Sequence, residues 1–506
     1  MRRRAPILFI AIAFLAAIGS CSDSKSDTDA SSNASSSSTS TAEPTTTTMP
    51  LVGIDADAGI GDDLFPGLGN AGYDVHHYEL DITVDAESPR IVNVTEIEAR
   101  ATDDLASFTL DLHGLRVGRV SVDGDRARFE RMRDELRVTP ARAIPSGADF
   151  VVVVRSRGVP DPMEDPALPF GLGWNRTPSG TYTLNEPGAA RAWFPSNDHP
   201  SDKATYGITI HAHIDTDVVA NGDLVSDESE GLRHTVRYEM TEPMATYLVQ
   251  VATGDFTFTD PITTASGVTV QHVVDADAAA RLTPLIAKVP SMIEFFEERF
   301  GPYPFDRYGV LVTRAAPGLA LETQTLSIYD VSDLAPEAPS DDASDDFLTS
   351  LFLAHELAHQ WFGDSVSPAR WKDVWLNEGF ASYAQYLWLE TETPGILDAY
   401  MPQAYAEIAA PRAEQGIPAD PTVEGLFGAS VYDGAAVVLH VLRLEIGDDA
   451  FFELLREWVA RFGGTSVTTD DFIELASEVS GRDLDPFLRA WLYDAIAPPY
   501  PDDSTS

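Results

Sequence analysis

His355-Glu-Leu-Ala-His359, followed by Trp375-Leu-Asn-Glu378-Gly-Phe-Ala-Ser-Tyr383, decides how the second half of this chain reads. Ahead of the first His, Phe347, Leu348, Leu351, Phe352 and Ala354 recur at helical spacing. That predicts an amphipathic helix, with Ser344 or Asp345 as its cap. Two histidines four residues apart share one face of such a helix, one turn apart. Neutral imidazoles so placed can grip one Zn²⁺, and Glu356 beside the first can take a proton from a water on the metal. A catalytic zinc needs a third protein ligand and one open position. Glu378 is the candidate. It stands at the start of what reads as a second helix, with Pro368 helping to separate the two. On these residues alone a plainer reading stays open: two partly buried helix histidines beside an ordinary surface Glu.

The runs His355-Glu-Leu-Ala-His-Gln-Trp-Phe-Gly-Asp364 and Trp371-Lys-Asp-Val-Trp-Leu-Asn-Glu-Gly-Phe-Ala381 closely resemble the aminopeptidase N family of zinc metallopeptidases, which includes leukotriene A hydrolase. That family places eighteen residues between the second His and the third ligand, which is the count from His359 to Glu378 here. The resemblance implies one Zn²⁺ per chain on His355, His359 and Glu378, with Glu356 as the base. It implies a thermolysin-like, mostly helical catalytic domain with a small mixed sheet, behind an amino-terminal antiparallel β domain. It also implies an activity: release of N-terminal residues from peptides that carry a free N-terminus.

Three further segments carry the resemblance. In Thr183-Leu-Asn-Glu186-Pro-Gly, Glu186 matches a carboxylate that helps hold the substrate's amino group. Without the family it reads as a turn residue before Pro187. Downstream in the same segment, Arg191 and Asp198 read as structural. Gly318-Leu-Ala-Leu-Glu322-Thr-Gln-Thr325 is similar to the edge-strand motif Gly-Ala-Met-Glu-Asn, and Glu322 matches its amine anchor. Leu319, Leu321 and Thr323 depart from that motif, yet a strand there can still pair with an extended peptide through main-chain groups. Ser430-Val-Tyr432-Asp-Gly-Ala-Ala436 resembles Tyr-x-Lys-Gly-Ala, and Tyr432 matches the phenol that steadies an oxyanion. Gly434 stands where the family has a basic residue, and Phe427 where some members have a second Tyr. The alternatives are a solvent-facing strand Glu at 322 and a core Tyr at 432. Two carboxylates near a zinc have a clear use. A substrate without a free ammonium would leave two buried charges unpaired, a costly state, and this favours an exopeptidase.

The 506 residues, 44% of them hydrophobic, suffice for two or three domains. An α+β, multidomain fold is expected. Residues 65–258 read as the β domain: segments 73–84, 108–113 and 117–122 alternate apolar with polar, and 150–154 is a more buried strand. Residues 259–496 read as the peptidase domain, with a helix over 283–300 that ends at Gly301-Pro302, a strand over 308–313, and helices over 450–461, 469–479 and 486–493. A tail, 497–506, follows. Long family members continue with a large helical carboxy-terminal domain that covers the cleft. The resemblance is to a short form, for which a more open cleft is expected.

The start reads as an export signal. Met1-Arg-Arg-Arg4 is basic, residues 6–18 are almost wholly apolar, and Ile18-Gly-Ser-Cys21 resembles a bacterial lipoprotein box. That implies a signal peptide over 1–20, a lipid on Cys21, and anchoring to the outer face of a bacterial membrane. A plain secretory signal is the alternative. Cys21 is the only cysteine, so no intramolecular disulfide forms. Residues 21–64 are rich in Ser, Thr and Asp and read as a disordered tether. The formal charge of −46 argues against a nucleic-acid partner. Oligomeric state is not readable. Two rivals to the aminopeptidase remain: a cell-surface binding lipoprotein on an inactive peptidase scaffold, and a zinc hydrolase of a non-peptide substrate.

Overall fold

A computed structural model describes residues 59–501, apart from 86–87, 167, 169, 317 and 335–343. The expected export signal, Cys21 and most of the expected tether lie outside the described residues. The last stretch assigned to the tether, 59–64, packs against the folded body instead. Asp62 is buried, and its Oδ2 accepts a hydrogen bond from the backbone N–H of Trp371 at 2.8 Å and stands 3.2 Å from His199. A carboxylate with fixed donors has more to gain from docking than from solvent.

Alternation of apolar and polar residues builds the first body. An eight-stranded sheet runs in the order Asp223–Glu230, Arg233–Met244, Ala204–His213, Tyr73–Val84, Ile91–Ala101, Asp149–Gly158, Arg116–Val122, Asp125–Arg126. Tyr78, Leu80 and Ile82 point inward from the Tyr73–Val84 strand, and the residues between them do not. The expected antiparallel pairing holds throughout this sheet except at one place: Tyr73–Val84 pairs parallel with Ala204–His213. These strands are joined by a long connection and not by a hairpin, so nothing forces them antiparallel. A four-stranded sheet (Asp217–Ala220, Val251–Gly254, Thr181–Leu184, Gly173–Arg176) carries Glu186 just past one strand end.

The small mixed sheet is centred on Arg307–Thr313, which pairs parallel with Val273–Asp275 and with Leu326–Asp330. The strand Phe256–Phe258 already belongs to it, through Val273–Asp275. Ala320–Leu321 adds antiparallel to Leu326–Asp330 and is the outermost strand on that side among the described residues. It carries Glu322 at its end.

Helices fill the rest. The helix expected over 283–300 is two helices, Ala279–Ile286 and Val289–Phe300. Pro290 explains the break, because its ring collides with the carbonyl four residues back, at Ile286. Ser344–Ala358, Trp375–Glu392, Asp448–Phe462, Thr469–Ser480 and Asp485–Tyr493 match the expected helices closely. Trp361 is fully buried against Phe296, Phe300 and Tyr303, and locks the turn after the first ligand helix to the helix before it.

Several hydrogen bonds tie the β body to the peptidase body beside the site. Lys203 Nζ donates to the carbonyls of Asp364 and Ser365 at 2.7 and 2.9 Å, and Asn221 Nδ2 donates to the carbonyl of Gln324 at 2.7 Å.

Candidate active site

The helix Ser344–Ala358 carries His355 and Glu356, and His359 follows directly in the turn that closes it, its N–H donating to the carbonyl of His355 at 3.3 Å. The chain must then wrap tightly around His359. Gly363 permits this with φ +133°, and a Cβ there would stand 3.2 Å from Asn377 Nδ2 and 3.3 Å from His359 Nδ1. The chain returns through Trp375–Glu392, whose first turn carries Glu378. His359 meets Glu378, while His355 meets both Glu378 and Gln385. The two helices therefore run antiparallel across the site.

The expected ligands come together. His355 Nε2 and His359 Nε2 lie 3.3 and 3.4 Å from Glu378 Oε2, and the two rings are 4.7 Å apart. All three side chains are buried. The chemistry of the donors suits a metal ion. His359 Nδ1 stands 3.1 Å from the carbonyl of Phe362, which can only accept, so Nδ1 carries a proton and, in the neutral ring, Nε2 keeps the lone pair; against burial, Glu378 and then Glu322 raise this imidazole well above its ordinary value. His355 Nδ1 faces Gln385 Oε1 at 2.9 Å with the same result. Burial alone would raise Glu378, yet His359 and His355 hold it down at about 2.

Gln385 is the residue that sequence reasoning missed. It lies seven positions after Glu378, on the same helical face, and that spacing is the signal that could have found it. Asn377 is inside its helix and not a cap, and its Nδ2 donates to Tyr247 Oη at 3.3 Å. Asp373 accepts from Thr469 N and Oγ1 at 3.2 and 2.6 Å, and so fixes where the second helix begins.

Glu356, Glu322 and His359 form a second cluster, and Glu186, Glu322 and Glu378 a third, with one ligand-type atom from each residue within 4.8 Å of the others. Burial, then the charges of Glu322 and Glu378, push Glu356 well above the usual carboxylate range, with His359 opposing. Glu186 and Glu322 are raised as well, burial first. Each has a buried Oε1 with no protein hydrogen-bond partner. Orphaned carboxylate oxygens aimed at a cavity call for a cationic guest. Thr323, where the family motif has Asn, turns its hydroxyl back to the carbonyl of Leu326 and so stays inside the turn.

Tyr432 lies in a one-turn π-helix, Ser430–Gly434, a distortion common at functional sites. Its ring is parallel to that of His355, 5.8 Å away. Burial, then the nearby carboxylates, keep its phenol protonated well above the ordinary range. Small residues let it approach: a Cβ on Gly379 would be 2.4 Å from Ala435 Cβ. These side chains line a cavity of about 200 Å³ in which, among the described residues, no Lys or Arg takes part. Arg191 and Asp198 are structural, joined by a bond from Arg191 N to Asp198 Oδ2 at 3.0 Å.

Comparison with known proteins agrees with this geometry. Residues 286–491 match the peptidase family M1 domain and residues 175–248 the peptidase M1 N-terminal domain. The crystal structure of the M1 zinc metallopeptidase from Deinococcus radiodurans aligns with TM-score 0.79 and 30% identity, covering 88% of this chain and 100% of that one. Aminopeptidase M1-A of Oryza sativa subsp. japonica is 29% identical over 61% of this chain, and human endoplasmic reticulum aminopeptidase 1 is 25% identical over 80%. This chain spans 36% and 46% of the lengths of those two relatives. With the ligand geometry, the domain order and a full-length structural relative in agreement, the chain belongs to peptidase family M1, the zinc metallopeptidases.

Proposed function

We propose that the chain is a zinc-dependent aminopeptidase, with His355, His359 and Glu378 as the metal ligands. The observation that carries this is the fixing of both Nδ1–H groups, on Gln385 and on Phe362 O, which leaves both Nε2 atoms facing Glu378 Oε2, the three atoms a metal ion would share. A zinc ion held there supplies a Lewis acid that polarises the scissile carbonyl and acidifies a water. Glu356, its carboxylate made strongly basic by burial, is placed to take a proton from the attacking water and to pass it to the leaving amine. Tyr432 donates its phenolic hydrogen to the oxyanion. Glu186 and Glu322 hold the substrate's α-ammonium, and their two orphaned oxygens support that role. A peptide lies along the free edge of Ala320–Leu321, next to the Glu322 anchor. A mutant of the Deinococcus relative has been solved bound to a Tyr-Ser-Ala substrate, which supports peptides as the substrate class.

We further propose that residues 65–258 and 259–496 are the two functional bodies, with the strand Phe256–Phe258 crossing over into the sheet of the second, and that Cys21 is lipidated and holds the enzyme on the outer face of a bacterial membrane. The lipoprotein-like run before Cys21 supports the anchor. No helix among the described residues is long and apolar enough to cross a membrane.

The test uses zinc-loaded protein, a panel of aminoacyl-coumarin substrates and their N-acetylated counterparts. Turnover of the free amines, its loss with chelator and its return with zinc are expected. Equal cleavage of acetylated and free substrates would refute the amine-anchored reading, and a protein that binds zinc but turns over nothing would be an inactive scaffold.

A further inference from the structure

The cavity has a direction, and it becomes readable once the aminopeptidase reading is accepted. Glu186 and Glu322, the amine anchors, cluster with Glu378, Glu356 and His359, and His355 belongs to neither of those clusters. His355 instead meets Gln385 and the ring of Tyr432. A peptide with its ammonium at Glu186 and Glu322 and its first carbonyl at the ligand triad must therefore run on past His355. One helical turn before His355 it meets Leu351 and Phe352, and from the neighbouring wall Asp433, all three lining the same cavity.

Asp433 is half-buried. Its Oδ1 accepts from Tyr386 Oη at 3.4 Å, and the Tyr400 hydroxyl is a second neighbour. The Tyr386 and Tyr400 rings stack at 4.3 Å, which fixes both hydroxyls. Both donors are neutral, and no cation lines the cavity among the described residues. Burial lifts Asp433 to about 6, and the two hydroxyls oppose that rise by donating to its charged form. Apolar walls that end in an anion with no cationic partner suit a side chain with an aliphatic stem and a cationic head.

We propose that Asp433, with Leu351 and Phe352, forms a subsite that selects Arg or Lys as the second residue of the substrate, the residue that becomes the new N-terminus. The stem lies on Leu351 and Phe352, and the charge on the Asp433 carboxylate. A purely structural Asp433, holding Tyr386 and Tyr400 in place, would give no such selection.

The experiment measures kcat/KM of zinc-loaded, full-length protein on Leu-Arg-Ala and Leu-Leu-Ala, with leucyl-coumarin as a substrate that has no second residue. A charge-assisted contact of this kind gives wild type an Arg-over-Leu ratio of roughly ten- to a hundredfold. Asp433→Asn brings that ratio to within about twofold of unity, while Asp433→Glu keeps most of it. A wild-type ratio near one, or a ratio that Asp433→Asn leaves unchanged, overturns the proposal. The wild-type ratio decides even where Asp433→Asn fails to fold. Absence of turnover on all three substrates would instead overturn the aminopeptidase reading on which the subsite rests.

Discussion

Gln385→Leu is the sharpest probe of the metal site, because the substitution removes one hydrogen-bond acceptor at nearly constant volume. In the folded chain His355 Nδ1 stands 2.9 Å from Gln385 Oε1, and the His355 side chain is only 10% exposed. Leu leaves two options. Nδ1–H stays and is buried without a partner, at a cost of about 1–3 kcal/mol. Or the proton moves to Nε2, the atom that should bind the metal. Either route penalises the zinc-ready tautomer, and the expected result is roughly ten- to a hundredfold weaker zinc binding. Competition titration against a chromophoric chelator reads this directly. Turnover at saturating zinc should fall far less than the affinity, because Glu356 and Tyr432 are untouched. Gln385→Glu keeps an acceptor and should bind zinc at least as tightly as wild type. A Gln385→Leu protein that binds zinc within about twofold of wild type would refute the tautomer argument.

Glu356→Gln should retain zinc, measured by metal analysis, and lose about 10²–10⁴ in kcat; normal turnover would remove Glu356 from the mechanism. Glu322→Gln should lower kcat/KM for free-amine substrates by roughly two to three orders of magnitude, the effect of breaking one side of a buried charge pair. Gly379→Ala should depress activity and melting temperature together, because the new methyl would meet Ala435 at 2.4 Å and push Tyr432 away from His355. Stability should also fall as pH drops from 6.5 toward 4, in part through His272. Burial lowers this group from 6.5 to about 4, and its Nδ1 accepts from Val310 N at 3.2 Å. Its folded pKa lies below its unfolded one, so the contribution is complete above 6.5 and is lost on acidification, at most about 3 kcal/mol. Urea melts of wild type and His272→Gln across that window isolate it.

The ligand set was legible because its geometry is local. A four-residue step fixes two imidazoles on one helix face; the third ligand, Glu378, was legible through the family resemblance, whose count it matches. Strand alternation was equally plain in Tyr73–Val84 and Ile91–Ala101. What escaped depended on a second partner. The parallel pairing of Tyr73–Val84 with Ala204–His213 joins segments far apart in the chain. The docking of 59–64 depends on Trp371 N and His199, neither of which composition reveals. Pro290 was visible but was read inside a single apolar face. The departure at Gly434 looks like a loss against a family pattern, yet the next residue, Ala435, packs against Gly379 and brings the Tyr432 segment onto the ligand helix.

The charge balance of the cavity ties metal binding and amine recognition into one arrangement. Glu186, Glu322, Glu356, Glu378 and Asp433 line it, and among the described residues that lining carries two imidazoles and no Lys or Arg. Burial, and then mutual repulsion, drive Glu186, Glu322 and Glu356 toward their protonated forms, while the histidines keep Glu378 charged. A folded chain without guests must therefore carry protons or bear the desolvation of unpaired charge. On the proposed reading a divalent ion and an ammonium would relieve both deficits, side by side, since Glu186 and Glu322 cluster with Glu378. If the proposed amine anchors are right, the excess of buried carboxylate that penalises folding is also what would make a blocked N-terminus a poor substrate. Neutralising Glu322 to gain stability would give up selectivity in the same step.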